Sequence, residues 1–333
     1  METRGTRSSA LVGVVLTLTL VVAGCRSAGK PSTTSGSGGV PAKPPDSIKV
    51  DGSAAVASLT EAAAELFRKG HSGVQITVGT SGTDDGFAGF CRGETDIADA
   101  SRRINDVEAS ACRSAGISYV ELPLAYDTLS VVVSKQNTWA TCLTVAQLAK
   151  IWDAGSTLDD WNQIDPNFPH EPLTLFGADP GSGAFISFTG AITGHEGRSR
   201  TDYQATEDDN VTVQAVAATK GGLGYLGFTF FEENADTLNV VQIDDGRGCV
   251  GPSVSSAQDG SYIPLARALF LYVNAASLAK PAVAGFAELY LANAADLAEQ
   301  GGFVLLTHGQ LTTSQQQLTA HRPNARVPAT PTS

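Results

Sequence analysis

Three times along this chain a short β-branched run leads into a turn rich in Ser, Thr and Gly, and then into residues at helical spacing. IKVDG (48–52) meets Ser53 and is followed by Val56, Leu59, Ala63, Leu66 and Phe67. VQITVG passes through TSGTDDG into a helical stretch at 87–91, ahead of a further strand, DIADAS. LTLFG passes through ADPGSG into AFISFTGAI. Strands alternating with helices predict an α/β fold with largely parallel sheets, whose ligands bind beyond the carboxyl ends of the strands. All three turns lie at that kind of end.

A helix N-terminus offers unpaired backbone N–H groups and a partial positive charge, and a hydroxyl beside it adds a neutral donor. Ser53 stands in the first turn, Ser81 and Thr83 in the second, and Ser182 between Gly181 and Gly183 in the third. Arg102, ending DIADASR, is the best-placed guanidinium. Any one of these residues alone reads as an ordinary cap or turn. Their recurrence at equivalent turns points to a tetrahedral anion wrapped by three helix ends.

The rest of the chain supplies the frame. At 333 residues it is long enough for two lobes with separate cores. ISYVELPLAYDTLSVVVS is too long for one ordinary strand and is expected to cross between them. LTVAQLAKIWDAG and NVTVQAVAATK predict helices, while GGLGYLGFTFF and ALFLYVN predict strands. PAVAGFAELYLANAADLAEQ predicts one long closing helix with Pro281 in its first turn.

The N-terminus carries Arg4 and Arg7, then an apolar stretch over 10–23, then Gly24 and Cys25, the pattern of an export signal over 1–24. Its apolar part is shorter than a membrane-spanning helix requires. Val22-Ala23-Gly24-Cys25 resembles a bacterial lipobox, so Cys25 is expected to be acylated. The Pro/Gly/Ser/Thr-rich segment to residue 46 reads as a tether, and 323–333 as a disordered tail. Cys91, Cys112, Cys142 and Cys249 remain, an even number in an oxidising compartment, which predicts two disulfides. None has another Cys two to four residues away, as a structural zinc site would favour, and no metal or cofactor is expected.

A formal net charge of −12 argues against nucleic acid and against an anionic membrane surface as partners. It also means that an anion has to be held by local dipoles. No serine lies in a Gly-x-Ser-x-Gly elbow, no phosphate-binding Gly-x-x-x-x-Gly-Lys-Ser/Thr loop occurs, and His71, His170, His195, His308 and His321 have no evident nucleophile partner. These features argue against an enzyme. Trp139, Trp152 and Trp161 read as core or surface anchors, and the acidic runs at 159–160, 207–209 and 244–245 as solvated turns.

The stretches GSAAVASLTEAAAELF, SGTDDGFAGFCRGETDIADASRRI, GISYVELPLAYDTLSVVVSKQNTWA and EDDNVTVQAVAATKGGLGYLGF resemble the phosphate-binding lipoproteins of bacterial phosphate ABC transporters, the PstS family. The resemblance covers roughly residues 47–320. It implies a type II periplasmic-binding-protein fold, two α/β lobes closing on the ligand, in a monomer that docks on a membrane permease served by a separate ATPase. Lobe 1 would span 47–130 and 253–322 and lobe 2 would span 131–252, with hinges near 127–131 and 252–262. Cys91 would pair with Cys112, and Cys142 with Cys249.

Carried over by position, the family's anion contacts fall on Ser53, Ala54 and Ala55, on Ser81, Gly82 and Thr83, on Ser101 and Arg102, and on Ser182 and Gly183. Several positions depart from the family. Ala55 stands where a Thr is usual, Gly181 and Ala184 replace a carboxylate and a hydroxyl, and Asp84 and Asp85 stand where Gly is common. Two lost hydroxyls at about 1.5 kcal/mol each would weaken binding roughly a hundredfold. Asp84, Asp85 and Asp99 are the candidates to supply the missing acceptor for a protonated anion. The expected function is capture of inorganic phosphate outside the cell, anchored to the membrane by lipid only. The alternatives are another oxyanion or a phosphorylated ligand, or an extracellular sensing or interaction protein.

Overall fold

The computed structural model describes residues 46–321. The leader, Cys25, the tether up to 45 and the tail lie outside the described residues. The chain begins with β1 (Ser47–Gly52), α1 (Ala54–Gly70), β2 (Gln75–Val78), α2 (Thr83–Cys91), β3 (Ile97–Ala100) and α3 (Asp106–Ser114). β4 (Tyr119–Ser134) follows, then β5 (Cys142–Thr144), α4 (Val145–Trp152), β6 (Thr174–Ala178), α5 (Gly183–Thr193), β7 (Gln204–Thr206) and α6 (Asp209–Ala218). Next come β8 (Gly222–Gly227), α7 (Phe228–Glu233), β9 (Leu238–Asp244), β10 (Cys249–Val250) and α8 (Val254–Gln258). The chain closes with β11 (Ala266–Asn274), α9 (Pro281–Ala292), α10 (Ala294–Gln300), β12 (Val304–Leu305) and α11 (His308–Ala320).

β1 pairs in parallel with β2 and β3, and β11 joins antiparallel between β3 and β4. Beyond that point β4 changes partners. Its residues 119–128 pair with β11, and from Leu129 onward it pairs with β8 and β9. β8 carries β6 and then β7, all parallel, while β9 carries β5 and β10. The mixed α/β architecture with two lobes is the one expected. The segment expected to be too long for one strand is nevertheless a single strand of 16 residues. No one neighbour has to match its whole length, because each half is paired within a different lobe.

Each lobe has its own core. In the first, Val56, Leu59, Ala63 and Phe67 of α1 cluster with Val283, Phe286 and Tyr290 of α9, and the Phe67 and Phe286 rings meet edge-on at 5.6 Å. A fully buried side chain such as Phe67 contributes about 1.5–3 kcal/mol. Phe87 and Phe90 of α2 cover the other face, with Phe87 edge-on to Tyr272 at 4.9 Å. In the second lobe Phe188 stacks flat on Tyr225 at 3.8 Å, and Trp152 meets both rings edge-on. Trp161 is buried and its Nε1 donates to the Gly221 carbonyl, so both indoles serve the core.

Two expected elements differ. The closing helix breaks at Asn293, whose Nδ2 donates back to the Leu289 carbonyl, and resumes as α10. FTFF, expected to continue a strand, turns into α7 after Gly227. Disulfides join Cys91 of α2 to Cys112 of α3, and Cys142 of β5 to Cys249 of β10.

Candidate functional site

The three Ser/Thr/Gly turns lead into helices long enough to carry a dipole: 17 residues in α1, 9 in α2 and 11 in α5. Backbone geometry makes the first two turns possible. Gly52 has φ of +144°, and a Cβ there would stand 2.0 Å from the Asp99 carbonyl oxygen, so no larger residue fits. The carbonyl of Gly52 accepts from Gly82 N at 2.8 Å, and that of Asp99 accepts from Ser53 N at 2.9 Å. The first and second turns are thereby fixed to each other and to the end of β3.

At all three helix starts the first N–H groups point away from any protein acceptor. Those of Ala54 and Ala55 in α1, Thr83, Asp84 and Asp85 in α2, and Gly183 and Ala184 in α5 make no protein hydrogen bond among the described residues. A small cavity of about 190 Å³ opens among Ser53, Ala54, Ala55, Gly82, Thr83 and Ser101. A larger one of about 480 Å³ adjoins it and reaches Asp84, Asp85 and Arg102. Both also touch Glu196 and Arg267.

The hydroxyls are deployed unequally. Ser53 is buried and caps no helical N–H with its side chain. Thr83 Oγ1 and Ser101 Oγ lie 3.1 Å apart and share a hydrogen bond, which leaves one of their two protons for a ligand. Ser81 Oγ donates to Asp51 Oδ2 at 2.9 Å, and Ser81 N to Asp51 Oδ1 at 3.1 Å, so its hydroxyl pins the second turn to β1. Ser182 Oγ donates to the Asp179 carbonyl at 2.8 Å and accepts from Phe185 N, acting as a cap. Neither Ser182 nor Gly183 is in the lining of either cavity. Gly183 instead abuts α1: a Cβ there would lie 3.8 Å from Ala55 Cα, so two helix ends from opposite lobes meet with only small residues between them.

Arg102 is held by two carboxylates. Its Nη2 donates to Asp84 and, at 2.6 Å, to Glu108 Oε1, while Nη1 donates to Glu108 Oε2 at 2.9 Å. Hydrogen bonding to Glu108, opposed by partial burial and reinforced by Asp84, holds the guanidinium even more firmly protonated than usual. Glu108 is also half of a capping box with Asn105 at the start of α3.

Asp99 does not face the cavities. It is fully buried behind the first turn, where Thr60 Oγ1 donates to its Oδ2 at 2.8 Å and Oδ1 has no partner. Burial, partly opposed by the Thr60 bond and assisted by the charge of Asp51, pushes its carboxyl up to about 8. Burial therefore favours its protonated form and places it out of reach of a ligand, whereas Asp84 and Asp85 border the larger cavity.

Two charged cavity residues escaped the sequence reading. Glu196 follows α5 and folds back over it, its Cγ resting where a side chain at Gly190 would collide at 2.7 Å. Arg267 opens β11, where Nε donates to Asp127 Oδ2 at 3.1 Å and Nη2 to Ser187 Oγ. Ser187 Oγ in turn donates to Asp127 Oδ2 at 2.7 Å. The single basic residue at the head of ALFLYVN was the available signal for Arg267; nothing in the sequence marks Glu196. The site as a whole presents unpaired helix-start amides, a free hydroxyl proton and two guanidinium groups, together with carboxylates able to accept a proton. Such a set can grip a small, partly protonated oxyanion.

The sequence profile of the PBP superfamily domain matches residues 37–294. Protein SphX of Synechocystis is 43% identical over 269 residues, covering 80% of both chains. The phosphate-binding protein PstS of Staphylococcus saprophyticus is 33% identical over 273 residues, covering 81% of this chain and 84% of that one. Among solved structures, a possible phosphate binding protein from Planctomyces limnophilus superposes with a TM-score of 0.81 at 42% identity, covering 83% of this chain and 98% of that one.

Proposed function

The chain belongs to the PBP superfamily, among its PstS-like phosphate-binding members, and from that premise we propose that it captures inorganic phosphate outside the cell for an ABC importer. This is a family of solute binders and not an enzyme class. The observation that carries the reading is the pair of helix starts, α1 and α2, whose unpaired N–H groups border a cavity that Arg267 also lines, with the start of α5 from the other lobe abutting α1 beside it. Backbone amides do not depend on side-chain identity, so the replacements at Ala55 and Ala184 weaken the site without abolishing it.

PstS-like proteins work on the extracytoplasmic side, and among the described residues no helix is long and apolar enough to cross a membrane. The lobe boundaries near 130 and 252, the acylated Cys25, the permease as docking partner and the absence of catalysis complete this reading. A phosphorylated organic ligand is the second reading, favoured by the larger cavity of about 480 Å³ beside the smaller one.

Titration calorimetry with phosphate, sulfate and a sugar phosphate decides between them. Phosphate binding in the micromolar range or tighter, with sulfate at least tenfold weaker, is the expected outcome. No phosphate binding at millimolar concentration would defeat the transport reading, and a preference for the sugar phosphate would install the second.

A further inference from the structure

We propose that Arg267, and not Arg102, supplies the principal positive charge to the bound anion, and that it does so from a position tied to both lobes. The inference rests on the reading of the cleft as an oxyanion site and identifies the residue on which that site turns.

The two guanidinium groups differ in how far their charge is already answered. Arg102 carries two carboxylate partners, Asp84 and Glu108, and a further bond from Nη1 to the Arg103 carbonyl at 3.0 Å. Arg102, Asp84 and Glu108 together are net negative, and an incoming dianion would have to displace a carboxylate to reach the guanidinium. Arg267 has one carboxylate partner, Asp127. Its Nη2 bonds a neutral hydroxyl, Ser187, and its Nη1 has no acceptor among the described residues. Arg267 therefore keeps donors available, and it touches the small cavity lined by the free amides of α1 and α2, which Arg102 does not.

The partners of Arg267 add a mechanical consequence. Asp127 lies on β4 just before that strand passes from β11 to β8, and Ser187 lies on α5 in the second lobe. The guanidinium is part of a three-residue bridge from one lobe to the other, and it is about three-quarters buried. In such a low-dielectric setting a bidentate donor is worth more than at the surface. An anion that bonds Arg267 meets a group whose orientation already depends on how the lobes stand.

The test is phosphate titration of the purified protein and of Arg267→Gln, Arg267→Lys, Arg102→Gln and Arg102→Lys, with thermal unfolding as a check on folding. Arg267→Gln is expected to weaken phosphate binding by at least about a hundredfold, while Arg102→Gln changes it by less than about tenfold. Arg267→Lys should recover part of the loss, because it keeps the charge without the planar fork. If Arg267→Gln does not fold, the two Lys variants carry the comparison, and the larger loss is expected at Arg267. Equal or greater loss at Arg102 in a folded protein overturns the proposal, as does wild-type-like binding by Arg267→Gln. A wild type that binds no phosphate defeats the oxyanion reading itself, and that outcome is distinct from both.

Discussion

Ser81, Thr83 and Ser182 sit at matching turns, yet the fold takes two of their three protons for itself: Ser81 turns to Asp51 and Ser182 to a carbonyl. Residue type and position were legible in the sequence; the direction of each O–H bond was not, because its acceptors come from β1 and from the turn's own backbone. The same holds for Asp99, whose place in DIADAS suggested a ligand acceptor but whose carboxyl faces Thr60 behind the turn. Its folded-state value of about 8 lies above the ordinary carboxylate value. The stability it contributes is therefore complete below about pH 4 and is lost as pH rises towards 8, because the unfolded chain ionises first. Between those limits the wild-type melting temperature should fall by several degrees relative to Asp99→Asn. Parallel pH profiles of the two proteins would exclude a raised Asp99.

At the scale of elements, local pattern and local structure agree at most places where neighbours in sequence decide the outcome, the break at Asn293 and the turn into α7 after Gly227 being exceptions. The three strand-turn-helix units, the amphipathic α4 and the Pro281 start of α9 all follow from residues within one or two turns. The other misreadings arise where distant partners decide. β4 persists because β11, β8 and β9 each pair part of it, and Arg267 reaches the cleft because β11 returns to the first sheet 140 residues after Asp127. The disulfides are likewise contacts between elements. Cys142–Cys249 closes a separation of 107 residues and ties β5 to β10 on either side of β9, and neither cysteine lines either cavity. Replacing both cysteines by Ala should cost about 2–5 kcal/mol in denaturant titration. Phosphate affinity should stay within about threefold of wild type. A large affinity loss with little loss of stability would show that the bridge shapes the site.

For the whole molecule, the decisive feature is that β4 runs unbroken from one lobe into the other, with Leu129 N bonded to the Leu265 carbonyl at the passage. Two lobes joined by loose linkers would behave as separate folding units. A shared strand forbids that, since losing either sheet strips β4 of half its ladder and exposes backbone groups that the other lobe needs held straight. Heating should therefore produce one cooperative transition, with calorimetric and van't Hoff enthalpies nearly equal, and two resolved transitions would contradict it. Binding is affected as well. A continuous strand opens by bending and twisting as a stiff ribbon, so the free protein should sample a narrow range of openings and return elastically, and capture should resemble the snap of a leaf spring more than the swing of a door.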